Sequence, residues 1–405
     1  MAVLPIPNWQ PTVDSGMVTK PMDRVPFESS RPAYDTLSVF PQEWELQGPT
    51  SAWFALLRFA RQLTKAEHRR LNVFHWGDSQ IEGDRITGTV RTSWQRTWGG
   101  CGPGWLLPES PVTSFAVRQS IYGEVQRQLG YGPNRNSIHR KLPFLGVNEF
   151  LDQSSWSVKG NPVGHTTNHG WTRTRILGRG QWRGTMDSLR WSGGSNQIDS
   201  MWTWNHAPVE EHKLLLQCDS GIVAGIELGC PLGVQIHNIP MRGGSGTLFD
   251  DVDQEEWDQF LQWAPPHLIL LQFGGNALAS MTNERQVSRY AQSIGRNIAH
   301  IRTLIPHVPI VFIGPSDMGK DDSSYPMLGP TIDALRHEAF QQGAFYWDLQ
   351  AVMGGAGSMS TWAERGWASD DGVHLSPSGA RRIGQRLDMA LRRAMRESLG
   401  QTSAP

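Results

Sequence analysis

Apolar residues recur along this chain with two different periods, and the places where the period changes divide it. "SAWFALLRFARQL" (51–63) spaces its apolar positions three and four apart, which lines one face of a helix. "LNVFHW" (71–76) runs apolar without that spacing and reads as a strand. Ile86, Val90, Trp94 and Trp98 then restore the helical stripe, with Asp84 placed as that helix's cap. Far downstream the same alternation resumes. "GVQIHNIPM" reads as a strand, "LFDDVDQEEWDQFLQW" as a helix, and "HLILLQFGG" as the continuous apolar run of a strand buried on both faces. Val287, Tyr290, Ile294, Ile298 and Ile301 stripe the next helix. "VPIVFIG" is a strand, a helix follows near 331–342, and "AFYWDL" is the last strand. The closing helix has Ser376 as its cap and Pro377 in its first turn, and buries Ile383, Leu387 and Leu391. Strands alternating with helices in this way build a parallel, doubly wound sheet.

Between 106 and 235 the pattern is different. Short runs such as "SFAVRQSIY", "SWSVKG", "TRTRILGRG", "MWTWNH" and "KLLLQCDSGIVAGIELG" are broken by Gly, Asn and Pro clusters, which predicts an all-β insert, a sandwich or jelly roll. The expected organisation is a Pro-rich extended lead-in over 1–50, an α/β core made of 51–105 and 236–397, the β insert at 106–235 between them, and a tail at 398–405.

Composition narrows the function classes. A net charge of −1 gives no electrostatic case for nucleic acid or an anionic membrane surface, and no apolar run approaches the roughly 20 residues that span a bilayer. The first residues lack the basic start and apolar core of a signal peptide, which leaves the compartment open. Three cysteines, Cys101, Cys218 and Cys230, are too few for a disulfide scaffold or a paired-thiolate zinc site. Reduced core thiols are the expectation, with a Cys218–Cys230 bridge as the alternative in an exported protein. Neither a cofactor nor a metal is expected.

In doubly wound sheets reactive residues gather beyond the carboxyl ends of the strands. Four features fall there. Ser79, in "GDS", follows the first strand; "RGGSGT" (242–247) follows the second; "GGN", ending at Asn276, follows the third; and "DDGVH", with Asp371 and His374, precedes the last helix. Each answers a demand of acyl transfer. A hydroxyl is a weak nucleophile at neutral pH, so Ser79 needs a base of the type of His374. Asp371 can hold that imidazole in the tautomer that accepts from serine. Ser79 N–H, a backbone N–H of the glycine loop and the Asn276 amide can supply donors to an oxyanion.

These four blocks resemble those of the SGNH, or GDSL, hydrolase superfamily: "GDS", a glycine loop, "GGN" and "DxxH". The resemblance spans about 50 residues of the N-terminal half and everything after about 236. It implies a three-layer α/β/α core with a parallel sheet, a triad of Ser79, Asp371 and His374, and an oxyanion hole from Ser79, a loop glycine and Asn276. Aligning on "SGT" makes that glycine Gly246; counting from Asn238 makes it Gly243. The third block departs from the frequent Gly-x-Asn-Asp, since Ala277 follows Asn276. The long β insert looks like that of peptidoglycan O-acetylesterases carrying a carbohydrate-binding-like module. That implies a periplasmic or extracellular serine esterase acting on an acetylated glycan, with an O-acetyltransferase, a lipid or small-ester esterase and a catalytically lapsed sugar-binding module as alternatives. Of the 18 tryptophans, six lie between Trp156 and Trp204; most are expected to fill the insert's core, and the rest to offer faces to sugar rings.

Two other patterns fall short of a site. "GPSDMGKD" (314–321) nearly spells a phosphate loop with Gly314, Gly319 and Lys320, but Asp321 replaces the Ser or Thr that would hold magnesium. His165 and His169 have a four-residue spacing without a helical pattern to put it on one face.

Overall fold

The computed structural model describes residues 41–132, 140–160, 170–186, 189–195, 200–206, 213–320 and 323–400. The first helix, α1 (Thr50–Leu63), is followed by β1 (Arg70–Gly77) and α2 (Thr87–Trp98). Seven strands then come in succession: β2 (Gly104–Leu106), β3 (Val117–Leu129), β4 (Gly146–Gly160), β5 (Arg173–Met186), β6 (Leu189–Ser195), β7 (Met201–Asn205) and β8 (Lys213–Gly229). The alternation returns with β9 (Gly233–Pro240), α3 (Gln254–Trp263), β10 (Pro266–Gln272), α4 (Gly275–Leu278), α5 (Glu284–Leu304) and β11 (Ile310–Ile313). A two-residue pair, β12 (Gly319–Lys320) and β13 (Ser323–Ser324), leads to α6 (Leu328–Gln341), β14 (Phe345–Trp347), α7 (Leu349–Met353), α8 (Ser358–Glu364) and α9 (Pro377–Gly400).

The parallel sheet has the order β14-β11-β10-β1-β9. Counted along the chain this is 2-1-3-4-5, whose winding reverses between β1 and β10. Alternate residues of each strand enter opposite layers, so both faces need a covering. Leu71 and Val73 of β1 join Leu268 and Leu270 of β10 under α1, α2 and α9, where Phe59, Trp94 and Leu387 lie. Phe74 and Trp76 face the other way with Ile269 and Leu271, under α3, α5 and α6, where Phe260, Ile298 and Leu335 pack. The sheet is therefore covered by helices on both faces. Gln47 pairs with Tyr346, so the end of the lead-in covers the β14 edge; residues 1–40 lie outside the described region, as do 401–405.

β2 to β8 make one antiparallel sheet, β3-β4-β8-β5-β6, with β2 also on β8 and β7 also on β5, and β12 pairs only with β13. The expectation of a two-sheet sandwich thus meets a single hydrogen-bonded sheet among the described residues. Its long strands are interrupted by register shifts at Tyr122/Glu124, Phe150/Ser155 and Leu177/Gly178. Trp156, Trp171 and Trp182 are buried in this sheet's own core, and Trp191, Trp202 and Trp204 pack against it. Three of the segment's six tryptophans are thus core residues, and the other three are half-buried against that core.

Cys101 and Cys230 form a disulfide, with Cα atoms 5.3 Å apart, and Cys218 is free and buried. This corrects the reduced state expected of Cys101 and Cys230 and the alternative Cys218–Cys230 bridge, while Cys218 is the buried free thiol that was expected. The pairing follows from topology: β2 lies on β8, and the start of β9 lies against the turn after α2, where Val234 N–H donates to Gly99 O at 3.0 Å. Cys101 and Cys230 thus sit side by side where the chain leaves the parallel sheet's layers and where it returns.

Candidate active site

Ser79 stands at the carboxyl end of β1, beside the point where the strand order reverses. Asp78 N–H donates to Gln272 O at 3.1 Å, and Met241 N–H to Gly77 O at 2.7 Å, so neighbouring strands grip the chain up to the turn. Gly77 is tightly packed: a Cβ there would lie 3.0 Å from Gln272 O and from the Ile81 side chain. Asp78 Oδ1 then accepts Gln80 N–H at 2.9 Å, the side-chain-to-backbone bond of an Asx turn. Ser79 opens the short 3-10 turn that follows (Ser79–Asp84).

The Ser79 hydroxyl is 3.0 Å from His374 Nε2, and His374 Nδ1 is 2.7 Å from Asp371 Oδ2. Asp371 Oδ1 accepts the backbone N–H groups of Val373 and His374, each at 2.9 Å. Burial alone would raise this carboxyl. The bonds from the His374 backbone and ring and from Val373 N–H outweigh it and hold the group below the ordinary carboxylate range. Asp371 is therefore charged at neutral pH and fixes the ring nitrogen that carries the proton, leaving Nε2 facing the hydroxyl. Gly319 N–H donates to Gly372 O at 2.9 Å and supports the loop from beneath. Ser376 Oγ accepts Gly379 N–H at 3.2 Å, the cap expected for α9.

Two side chains that the sequence did not single out tie the serine turn to the histidine loop. Gln80 Nε2 donates to Val373 O at 2.7 Å, and Gln80 Oε1 accepts Leu375 N–H at 3.4 Å. Arg85 donates to Leu375 O at 3.0 Å, to Glu82 O at 2.8 Å and to Ser79 O at 3.4 Å. The serine–histidine distance is thus set by two separate braces as well as by the sheet. Only the geometry reveals them, because Gln and Arg in a turn carry no spacing signal.

Asn276 lies in α4, entered through Gly274 at φ +134, where a side chain would be strained. Its Nδ2 donates to Gly244 O at 2.9 Å, which joins the third loop to the glycine loop. Gly243 (φ +75) and Gly246 (φ +76) flank the residue that Asn276 touches. Gly246 is packed on Phe273, whose ring would lie 2.6 Å from an added Cβ, whereas Gly243 is open. Gly244 N–H is engaged with Met241 O at 2.7 Å, and Tyr290 OH donates to Ser245 O at 2.8 Å. Arg242 forms a two-pronged ion pair with the buried Glu82, at 2.7 and 2.6 Å, linking the glycine loop to the serine turn.

Asp84 is not a helix cap. It has φ +65, is buried, and binds both Nη atoms of Arg91, while its Oδ2 also accepts Ser114 Oγ–H at 3.1 Å. Ile86 precedes α2 without a side-chain cap. A buried carboxylate needs a charged partner more than a helix needs its first cap, and Arg91 supplies it. Asp78 contrasts with Asp371: burial pushes its carboxyl up to about 6, against the opposing bond from Gln80 N–H and the pull of His374.

The phosphate-loop resemblance dissolves in the fold. No helix follows Lys320 directly, α6 starting only at Leu328. Asp317 instead accepts Ser324 Oγ–H, Gln350 Nε2–H and Met359 N–H, which makes the segment a brace under the Asp371 loop. Asp321, His165 and His169 lie outside the described residues. Among the described residues no group of His, Cys, Asp or Glu is placed to hold a metal ion, and no helix is long and apolar enough to cross a membrane.

Residues 227–382 match the GDSL-like lipase/acylhydrolase family. That stretch of the core is similar to a GDSL-like acylhydrolase. The matched stretch contains Asn276, Asp371 and His374; Ser79 precedes it and reaches them through β1. No curated protein matches the sequence. Among solved structures, a peptidoglycan O-acetylesterase aligns over 87% of this chain and 99% of its own, with a TM-score of 0.70 at 20% identity. That similarity is one of fold. A family two carbohydrate esterase from Cellvibrio japonicus aligns over 70% of this chain and 99% of its own at 10% identity, but with a TM-score of 0.28. An acetylxylan esterase from Geobacillus stearothermophilus aligns over 40% and 73% at 14% identity, with a TM-score of 0.29.

Proposed function

We propose that this protein is a serine esterase that removes O-acetyl groups from a glycan. The observation that carries the reading is the line from Ser79 Oγ through His374 to Asp371, at 3.0 and 2.7 Å. In the first step His374 Nε2 takes the Ser79 proton as Oγ attacks the ester carbonyl carbon. The charge that develops on the carbonyl oxygen is met by Ser79 N–H, by an N–H of the glycine loop at Gly243 or Gly246, and by Asn276 Nδ2–H. The C–O bond to the sugar breaks, His374 returns the proton to the leaving sugar oxygen, and an acetyl-serine remains. Water, deprotonated by the same nitrogen, then releases acetate and restores Ser79. Asp371 stays ionised throughout and stabilises the imidazolium.

A glycan substrate is supported by the fold-level likeness to the peptidoglycan O-acetylesterase. We read the antiparallel sheet, Gly104–Gly229, as an inserted β domain whose two junctions the Cys101–Cys230 bridge fastens together. That bridge fits an oxidising compartment, periplasmic or extracellular.

The test is acetate release from O-acetylated peptidoglycan and from acetylated xylan, with Ser79→Ala as the comparison. The variant should fold normally and lose turnover by about 10⁴-fold or more. Turnover retained in Ser79→Ala would remove the nucleophile assignment. Transfer of acetyl to a sugar acceptor in place of acetate release would make the protein a transferase with the same residues.

A further inference from the structure

The oxyanion donors proposed above belong to three separate segments, the serine turn, the glycine loop and α4, so their spacing depends on what ties those segments together. The glycine loop contains Gly243, Gly244 and Gly246, and Gly243 and Gly246 have φ of +75 and +76. Glycine backbone has more conformations open to it than any other, so the placement of this loop is imposed by its neighbours. Asn276 holds Gly244 O at 2.9 Å and Tyr290 holds Ser245 O at 2.8 Å, from α4 and α5. On the opposite side, toward Ser79, Met241 N–H donates to Gly77 O at 2.7 Å where the loop begins, and the Arg242 side chain reaches Glu82.

Glu82 is placed for this contact by a break in the turn that Ser79 opens. Its φ of −55 and ψ of 152 leave helical values, Gly83 follows at φ +69, and the Glu82 side chain is buried. The carboxylate accepts Arg242 Nε–H at 2.7 Å and Nη2–H at 2.6 Å, the parallel two-bond fork that a guanidinium makes and an ammonium does not. The backbone carbonyl of Glu82 accepts Arg85 Nε–H at 2.8 Å, and Arg85 goes on to Leu375 O, next to His374, at 3.0 Å. Glu82 thus stands between the loop that carries the base and the loop that carries the oxyanion glycines. Arg242 immediately precedes Gly243, whose N–H belongs to the peptide unit that Arg242 begins and whose surroundings are open. The Arg242 side chain is 56% exposed, and a pair with so exposed a partner contributes more to geometry than to stability.

We infer that Glu82 and Arg242 are positioning residues for the oxyanion hole, their fork setting where the glycine loop presents its N–H to the ester at Ser79. The inference rests on the esterase reading above and adds how two of its loops are kept in register. Neither side chain touches a reacting group; both act through the backbone of the segments that carry them.

The experiment measures kcat and KM on 4-nitrophenyl acetate, together with the urea unfolding midpoint, for wild type, Arg242→Ala, Arg242→Lys and Glu82→Gln. Arg242→Ala strands a buried carboxylate and lowers stability as well as rate. Arg242→Lys separates the two effects, because its ammonium keeps a positive charge beside Glu82 without reproducing the fork. Its urea midpoint should stay near that of wild type while kcat falls about tenfold with KM unchanged, since a misplaced donor weakens the transition state more than the ground state. Glu82→Gln, which also loses the fork, should show the same split between kcat and KM. A kcat within about twofold of wild type in both Arg242→Lys and Glu82→Gln, or one that falls only in proportion to the folded fraction, overturns the positioning role while the esterase reading stands. Hydrolysis by wild type no faster than by Ser79→Ala overturns both.

Discussion

Asn276 shows how far a single residue's role follows from its contacts. One of its two amide N–H groups is spent on Gly244 O, and the other is the donor proposed for the oxyanion. Asn276→Ala should lower kcat by about 10²–10³ with little change in KM, because a donor aimed at developing charge acts in the transition state more than in the ground state. Steady-state kinetics on a small acetyl ester will check it; an unchanged kcat would leave Asn276 only its link to the glycine loop. At this scale the sequence was informative where chemistry dictates residue type. Ser79, His374 and Asp371 stand out in the sequence because few other residue types could perform the steps proposed for them, and the fold brings the three together. It was uninformative where a residue's neighbours decide. Asp84 reads as a cap because it precedes a helical stripe, and only the fold brings Arg91 and Ser114 to it. Asp78 and Asp371 are the same residue type in the same site, and opposite surroundings move one carboxyl up and the other down.

Among elements, hydrophobic periodicity located the strands and helices of the α/β core, because each is buried on a side that its period exposes. β10, β11 and β14 are recognisable as apolar runs, since helices cover both of their faces. The connection between elements was harder to read. A two-sheet sandwich and a single sheet share the same short apolar runs, and register shifts within long strands leave no sequence mark. The cysteine pairing is hidden for the same reason: spacing favours Cys218 with Cys230, but β2 on β8 and Gly99 against Val234 bring Cys101 instead. The bridge closes a loop of 129 residues of sequence separation, so its main effect is to restrict the unfolded chain. The Cys101→Ser/Cys230→Ser double variant should lose about 2–5 kcal/mol of stability. Urea unfolding followed by tryptophan fluorescence, with and without reductant, is the measurement. Wild type and variant with the same midpoint under oxidising conditions would show that the cross-link contributes nothing.

For the molecule as a whole, acid stability is where opposing buried groups compete. Burial holds His75 down to about 3 and His267 down to about 4, and holds His237 well below the usual imidazole range with neighbouring arginines adding to it. Each binds its proton in the unfolded chain near 6.5 but resists it when folded, so each withdraws stability as pH falls below about 6.5. Asp78 acts in the other sense. Its raised value, about 6, makes the folded state take up a proton that the unfolded chain binds only near 3.8, so acidification through that window favours folding. The gap between the folded and unfolded values makes His75 worth about 5 kcal/mol once the pH lies below both, and Asp78 about 3 kcal/mol in the opposite direction. With two further buried histidines on the same side, the histidines win. The unfolding midpoint in urea should therefore drop markedly between about pH 7.5 and about pH 4.5. His75 sits between Thr87 and Gln272 on the inside of β1, where glutamine can keep a polar partner without a titrating ring. His75→Gln should retain more of its neutral-pH midpoint at about pH 4.5 than the wild type does. Equal losses in the two proteins would mean that acid sensitivity arises elsewhere, with the half-exposed Asp371–His374 pair as the next group to vary.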